Sequence, residues 1–288
     1  MIIRNLISIG FLLVALVSSG QGNFSKEYQF VQHLQNINSY NEGLFYIQKI
    51  WSSYKSLTQR DTLNYLKGKI YYDQHDLEHS IESFSGVSAS SLDIYEQSIF
   101  YQSIQNAYLR KFDLTETLLK NTEFSTSLRN EVKVFELASN YLLKRELDDF
   151  DELSGDFTFN YYQLEDYERD MIHLSKNIRD HKTKSPFVAG LLSAVIPGTG
   201  RYYQGKIGQG TLGLASNAIF ALQALEAYRK DGVKSPRFII FSGAFAVFYI
   251  SNIWGSAVSV RINEMRYNED VDEAILINMH LPIRLLFD

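Results

Sequence analysis

Cysteine is absent from the 288-residue chain, and proline occurs only four times, first at Pro186. The missing thiols exclude disulfide scaffolds, thiol catalysis, iron–sulfur clusters and thiolate zinc sites together. The missing prolines leave the first 185 residues free to form long helices. An excess of positive charge is also lacking: 28 Lys and Arg stand against 33 Asp and Glu, a net charge of −5. Phosphate backbones need a basic surface, so nucleic acid is not expected as a partner. No G-x-S-x-G, phosphate loop or dinucleotide fingerprint occurs. Gly198-Thr199-Gly200 has no strand before it and no G-K-S/T after it. What the chain does have is 45% apolar and 14% aromatic residues, enough for one large core or two modest ones.

The charge is unevenly spread. Residues 23–184 hold 18 basic and 25 acidic side chains, residues 185–262 hold 7 and 2, and residues 263–288 hold 2 and 6. An acidic region, an apolar basic one and a short acidic tail suggest two solvents for one chain. Met1–Asn5 carries Arg4, and Leu6–Val17 is a largely apolar run of twelve residues followed by Ser18-Ser19-Gly20-Gln21-Gly22. At about 1.5 Å per residue that run falls well short of a hydrocarbon core of about 30 Å. It reads as a secretory signal over 1–22, cut after Gly20 or Gly22; an uncleaved anchor is the alternative.

From residue 23 to 180 the chain aligns on itself at a spacing of 37 residues. Leu34, Tyr71 and Tyr108 fall in register, as do Tyr40, Leu77 and Leu114, then Gly43, Ser80 and Thr117. A looser fourth copy runs from Glu136 to Phe159. A large residue in one helix, a large residue entering the next and a small one at the crossing describe an antiparallel helix pair. Gly68, Tyr71, Ser80, Phe84 and Val87 stand at the spacing of the small and aromatic positions of a tetratricopeptide repeat, and the second copy resembles that family. No proline closes a unit, and the period exceeds that of the family. The resemblance implies a stack of helix pairs whose groove binds a protein; a plain helical spacer is the alternative.

His75-Asp76-Leu77-Glu78-His79 spells H-x-x-E-H, a zinc-peptidase pattern that needs both histidines on one helix. The repeat register puts His75 and Asp76 in a turn, so no metal site and no catalytic residue is expected there. The carboxylates of Glu146–Glu152 lack the order of a calcium loop and read as a solvated helix face.

Phe238–Val260 is 23 residues without a charge, framed by Arg237 and Arg261. It is the strongest candidate for a membrane span. Ser251, Gly255 and Ser259 would share a face that admits another helix. Gly210–Tyr228 is a weaker second span interrupted by Asn217, Gln223 and Glu226; the amides of Asn217 and Gln223 could bond across to Ser251 or Asn252. The basic connection 229–237 between them fits a cytoplasmic turn. Phe187–Ile196 is too short to span and suits an interfacial or re-entrant helix closed by Pro197-Gly198-Thr199-Gly200.

Ser185-Pro186, then Pro197-Gly198-Thr199-Gly200-Arg201-Tyr202-Tyr203-Gln204-Gly205-Lys206, with Gly210, Asn252 and Gly255, resemble a bacterial envelope family known only as a domain of unknown function. More distantly, they are similar to the two-transmembrane domain with its G-x-G-x-x-x-F/Y-Y-x-G signature, although only Arg201 separates Gly200 from Tyr202-Tyr203. The resemblance implies a membrane hairpin with no reaction attached. The tail 263–288, with Ile275, Ile277, Met279, Leu281 and Ile283 alternating, suggests a short exposed strand or a partner-binding segment.

The expectation is therefore an all-α protein in four parts: a signal (1–22), a tetratricopeptide-like helix-pair solenoid (23–180), a two-helix transmembrane hairpin with a short re-entrant or interfacial helix (181–262), and a tail. It would be a non-enzymatic scaffold in the bacterial inner membrane, without cofactor, its repeat facing the periplasm. The expected partners are protein and membrane lipid. The alternative is a small transport or lipid-handling module.

Overall fold

The computed structural model describes residues 23–287, so the expected signal lies outside the described residues. Among the described residues there are thirteen α-helices and no strand. The chain forms two compact units. One is the chain up to Ser175 together with the segment from Ile275 onward; the other is Lys176–Ala274.

In the first unit, short helices follow each other in pairs: α1 (Phe24–Asn36) with α2 (Tyr40–Ile50), α3 (Leu57–Asp73) with α4 (Leu77–Ser85), α5 (Leu92–Tyr108) with α6 (Phe112–Lys120), and α7 (Ser127–Lys144) with α8 (Leu147–Ser154). The same device closes all four pairs. Asn38, His75, Arg110 and Arg145 take left-handed backbone angles. The next amide then reaches back to a carbonyl five residues earlier, from Ser39 to Leu34, Asp76 to Tyr71, Lys111 to Asn106 and Glu146 to Tyr141, at 2.8–2.9 Å. This arrangement satisfies carbonyls that a helix end leaves open.

The turn residues correct the constant spacing expected from the sequence: they lie 37, 35 and 35 residues apart. The first interval is longer because α2 has 11 residues and runs into a 3-10 turn at Trp51–Ser53, whereas α4 and α6 have nine each. Ser80 therefore matches Thr115 and not Thr117. Both buried hydroxyls donate to a carbonyl twelve residues back, Ser80 to Gly68 at 2.8 Å and Thr115 to Ser103 at 3.1 Å. Thr117 bonds within its own helix, to Asp113. Leu114 is likewise displaced, since Phe112 opens α6.

Gly68 and Phe84 belong to the packed interior. A methyl on Gly68 would lie 2.7 Å from the Phe84 ring, which itself stacks on Tyr101 at 5.3 Å. Gly68→Ala is expected to lower stability by about 1–3 kcal/mol, read as a fall in Tm, because a fully buried ring must shift to admit one carbon. Tyr71 and Tyr108 are not core residues. Tyr71 stacks on His79 at 5.2 Å, and Tyr108 is exposed at the end of α5.

Helix α9 (Glu165–Asp180) buries Glu168 beside Glu131, whose carboxylate also accepts the Thr158 amide at 2.7 Å. Burial and the facing Glu131 carboxyl push Glu168 up to about 8. The fold thus holds a proton that the unfolded chain has already lost, and stability falls as pH rises from the ordinary carboxylate range through 8. Glu168→Gln is expected to leave Tm nearly unchanged below pH 4 and to raise it at pH 8.

The second unit contains α10 (Pro186–Val195), α11 (Thr199–Tyr203), α12 (Ile207–Asp231) and most of α13 (Pro236–Phe287). Only α13 is both long and apolar enough to cross a membrane among the described residues, and its most apolar window is uncovered by protein. The connection between α12 and α13 is shorter than expected. Arg229, Lys230 and Asp231 remain helical, and Lys230 pairs with Glu226 at 2.8 Å.

The alternating tail is helical, which corrects the expected strand. Ile275, Met279 and Ile283 are fully buried, while Ile277 and Leu281 are 44% and 41% exposed. Apolar residues two apart satisfy a strand period, but every second one of them also satisfies a helical period of nearly four. The segment from Ile275 onward belongs to the first unit.

Candidate functional site

Within the first unit, the end of α13 lies against α3, α5 and α7. His280 bonds the Tyr72 hydroxyl through Nε2 and sets its ring edge-on to Tyr72 and Tyr108. Phe287 stacks on Phe100 at 5.5 Å, with the Arg129 guanidinium 5.7 Å from its ring. Arg129 is held in turn by Asp93 and the buried Glu96. This helix face, built from three of the pairs, carries an amphipathic helix in place. A separate groove of about 620 Å³ opens between α2 and α3, where Leu44, Phe45, Trp51, Lys67 and Tyr71 form the walls. Phe45 is 68% exposed there.

The H-x-x-E-H residues do not share a helix. His75 sits in the left-handed turn, Asp76 caps α4 through the His79 amide, and the His79 ring bonds Asp76 at 2.8 Å. Among the described residues, no group of three or more His, Asp or Glu could hold a metal ion. Asp148, Asp149, Asp151 and Glu152 line the exposed side of α8 while Phe150 is buried.

In the second unit part of the signature is fastened to α13, through Asn252 and Ser256. Ser185 caps α10 by accepting the Val188 amide, Pro186 takes the first helical position, and the Ser185 amide donates to the Tyr203 hydroxyl at 3.2 Å. Pro197 leads into Gly198, which has a φ of 94° and donates its amide to Asn252 Oδ1 at 2.9 Å. Gly200 donates to Ser193 Oγ at 3.0 Å, and Ser193 bonds Ser256 at 2.8 Å. Gly198 and Gly200 leave no room for a side chain. A methyl on Gly198 would meet the Gly210 carbonyl at 2.2 Å, and one on Gly200 would meet the Ala189 carbonyl at 2.0 Å. Gly210 packs on the Tyr202 ring, Gly255 lies beside Arg201, and Gly205 turns with a φ of 80° in open space.

Ser193 and Ser256 escape the sequence pattern, because single polar residues in apolar runs carry no periodic signal. Of the expected face, Gly255 and Ser259 pack against the loop and only Ser251 does not. Ser251 is exposed, whereas Asn252, Gly255, Ser256 and Ser259 hold the loop. Asn217 does not bond across to α13; its amide turns back to Gly213 O at 2.8 Å and its Oδ1 is buried without a partner. Gln223 accepts from Arg237 instead.

Below the loop, Lys206 Nζ donates to Ser259 Oγ at 2.8 Å and to Asn263 Oδ1 at 2.7 Å. Burial and the charges of Arg201 and Arg266 hold it below the ordinary lysine range. The contacts of this arrangement are hydrogen bonds and close packing around a half-buried ammonium. A comparison of the chain with protein-family models, curated proteins and solved structures finds no match.

Proposed function

We propose that this chain is a membrane-anchored, non-enzymatic scaffold of the bacterial envelope whose tetratricopeptide-like stack holds a helical segment of a protein partner. The observation that supports this most is the seating of Ile275, Met279 and Ile283 on the helix pairs: the surface already accommodates an amphipathic helix. The groove beside Phe45 and Trp51 offers a second, open aromatic surface. The anchor is α13, with α12 as its hairpin partner and α10 lying re-entrant or in the interface. Ile239, Ile240, Val247, Phe248 and Trp254 are exposed along the uncharged run, and lipid is the solvent that suits them. With an exported N-terminus, the stack faces the periplasm of the inner membrane.

A photo-crosslinking residue at Phe45 in living cells tests the scaffold reading. Discrete protein adducts, absent when the crosslinker sits at the exposed Asp149, are the expected result; lipid adducts alone, or none, would contradict it. A second reading, a transport or lipid-handling module, is motivated by the unpartnered Asn217 Oδ1 inside an apolar helix. Asn217→Leu is expected to leave the Phe45 adducts and the cellular phenotype unchanged if the scaffold is primary. Lost phenotype with adducts retained would favour the module.

A further inference from the structure

The basic linker between α9 and α10 closes a cavity that the scaffold role leaves unused. His181, Lys182 and Lys184 form one wall, Gln204, Val260 and Asn263 the floor, and the volume is about 160 Å³. Its one carboxylate, Glu264, is taken by His181 at 3.0 Å, and the His181 ring stacks on Tyr267 at 3.6 Å. Asn263 in the floor is also a ligand of Lys206, so a half-buried ammonium stands behind the cavity, bonded only to neutral groups. Arg201 and Arg266 add positive charge next to Lys206, and no acidic side chain pairs with any of the three among the described residues. Lys182 is exposed, and Lys184 donates only to the neutral Tyr203 carbonyl at 2.7 Å.

Two exposed lysines without an acidic partner at the wall of a small cavity, with three further cations close by, select a compact anion. What lies next to the cavity narrows the choice. The linker runs directly into α10, whose apolar Phe187, Leu191 and Val195 are all exposed. A free phosphate makes no use of that face, whereas acyl chains do. We infer that the cavity bounded by Lys182, Lys184, Gln204 and Asn263 binds the phosphate of an anionic phospholipid, with the acyl chains along α10. The lipid would hold the linker at the membrane surface. This site rests on the reading of the second unit as membrane-embedded.

The test uses the full chain in mild detergent with equal amounts of phosphatidylglycerol and phosphatidylcholine, and native mass spectrometry to count the lipids retained. Phosphatidylglycerol is expected to be retained in clear excess. Lys182→Gln and Lys184→Gln are each expected to cut that excess about fivefold, as loss of one cation at an anionic surface should. Arg266→Gln, an exposed residue with no hydrogen bond among the described residues, serves as a further variant that leaves packing intact. Millimolar inorganic phosphate should not displace the lipid. Equal retention of the two lipids, an excess unmoved by the variants, or full displacement by phosphate would overturn the site. Alkaline carbonate washing of native membranes separates the two readings: a chain that stays in the membrane but shows no lipid preference loses the site and keeps the anchor, while a chain that washes off loses both.

Discussion

Gly200→Ala is expected to prevent the second unit from packing, with a stability loss above about 3 kcal/mol, beyond the usual cost of overfilling a core. The added carbon would sit 2.0 Å from the Ala189 carbonyl oxygen and 2.6 Å from Ser193 Oγ. The first obstacle is backbone of α10, which cannot yield without unwinding the helix. The second is the hydroxyl that links Gly200 to Ser256, so the clash also cuts the bond that fastens the loop to α13. Gly198→Ala adds backbone strain to a 2.2 Å clash with the Gly210 carbonyl and should be at least as harmful. Gly205 supplies the contrast. It also has a positive φ, yet nothing lies within 4 Å of an added carbon, so Gly205→Ala should cost only about 1 kcal/mol. Thermal unfolding of the three variants in detergent checks the ranking; equal losses at Gly200 and Gly205 would mean the close approach to α10 is wrong.

Ile283→Asp is expected to release the end of α13 from the first unit. Ile283 is fully buried, and a carboxylate there would have to leave its apolar site or take up a proton. Even Ile283→Ala should cost about 2–5 kcal/mol through the cavity it leaves. Ile277→Asp, on the opposite side of the same helix, should change stability by less than about 0.5 kcal/mol. Hydrogen exchange is the readout. Ile283→Asp should deprotect the amides of 275–287, and the Ile277 variant should match the parent chain. Were the two variants alike, the tail would not be seated as described.

Helices and their pairing are legible in the sequence because they rest on local chemistry: no proline before Pro186, caps such as Asp76 and Ser185, and small residues where helices cross. The register of the third pair is not, because two extra residues in α2 change the interval without leaving a local mark. The tail is ambiguous for a different reason. Ile275, Ile277, Met279, Leu281 and Ile283 fit a strand and a helix equally well until something covers three of the five. The glycine signature can be read as a turn, but its reason lies in long-range contacts. Gly198 meets α12 and Gly200 meets α10, and no spacing rule announces either. Ser256 and Asn263 become visible only when the loop folds onto α13 and finds its partners there.

The uncharged run Phe238–Val260 carries the whole account, since the anchor, the periplasmic stack and the lipid cavity all depend on its being in lipid. Alkaline carbonate extraction of cell membranes tests this most directly. The chain is expected to sediment with the washed membranes, and its recovery in the soluble fraction would contradict the account.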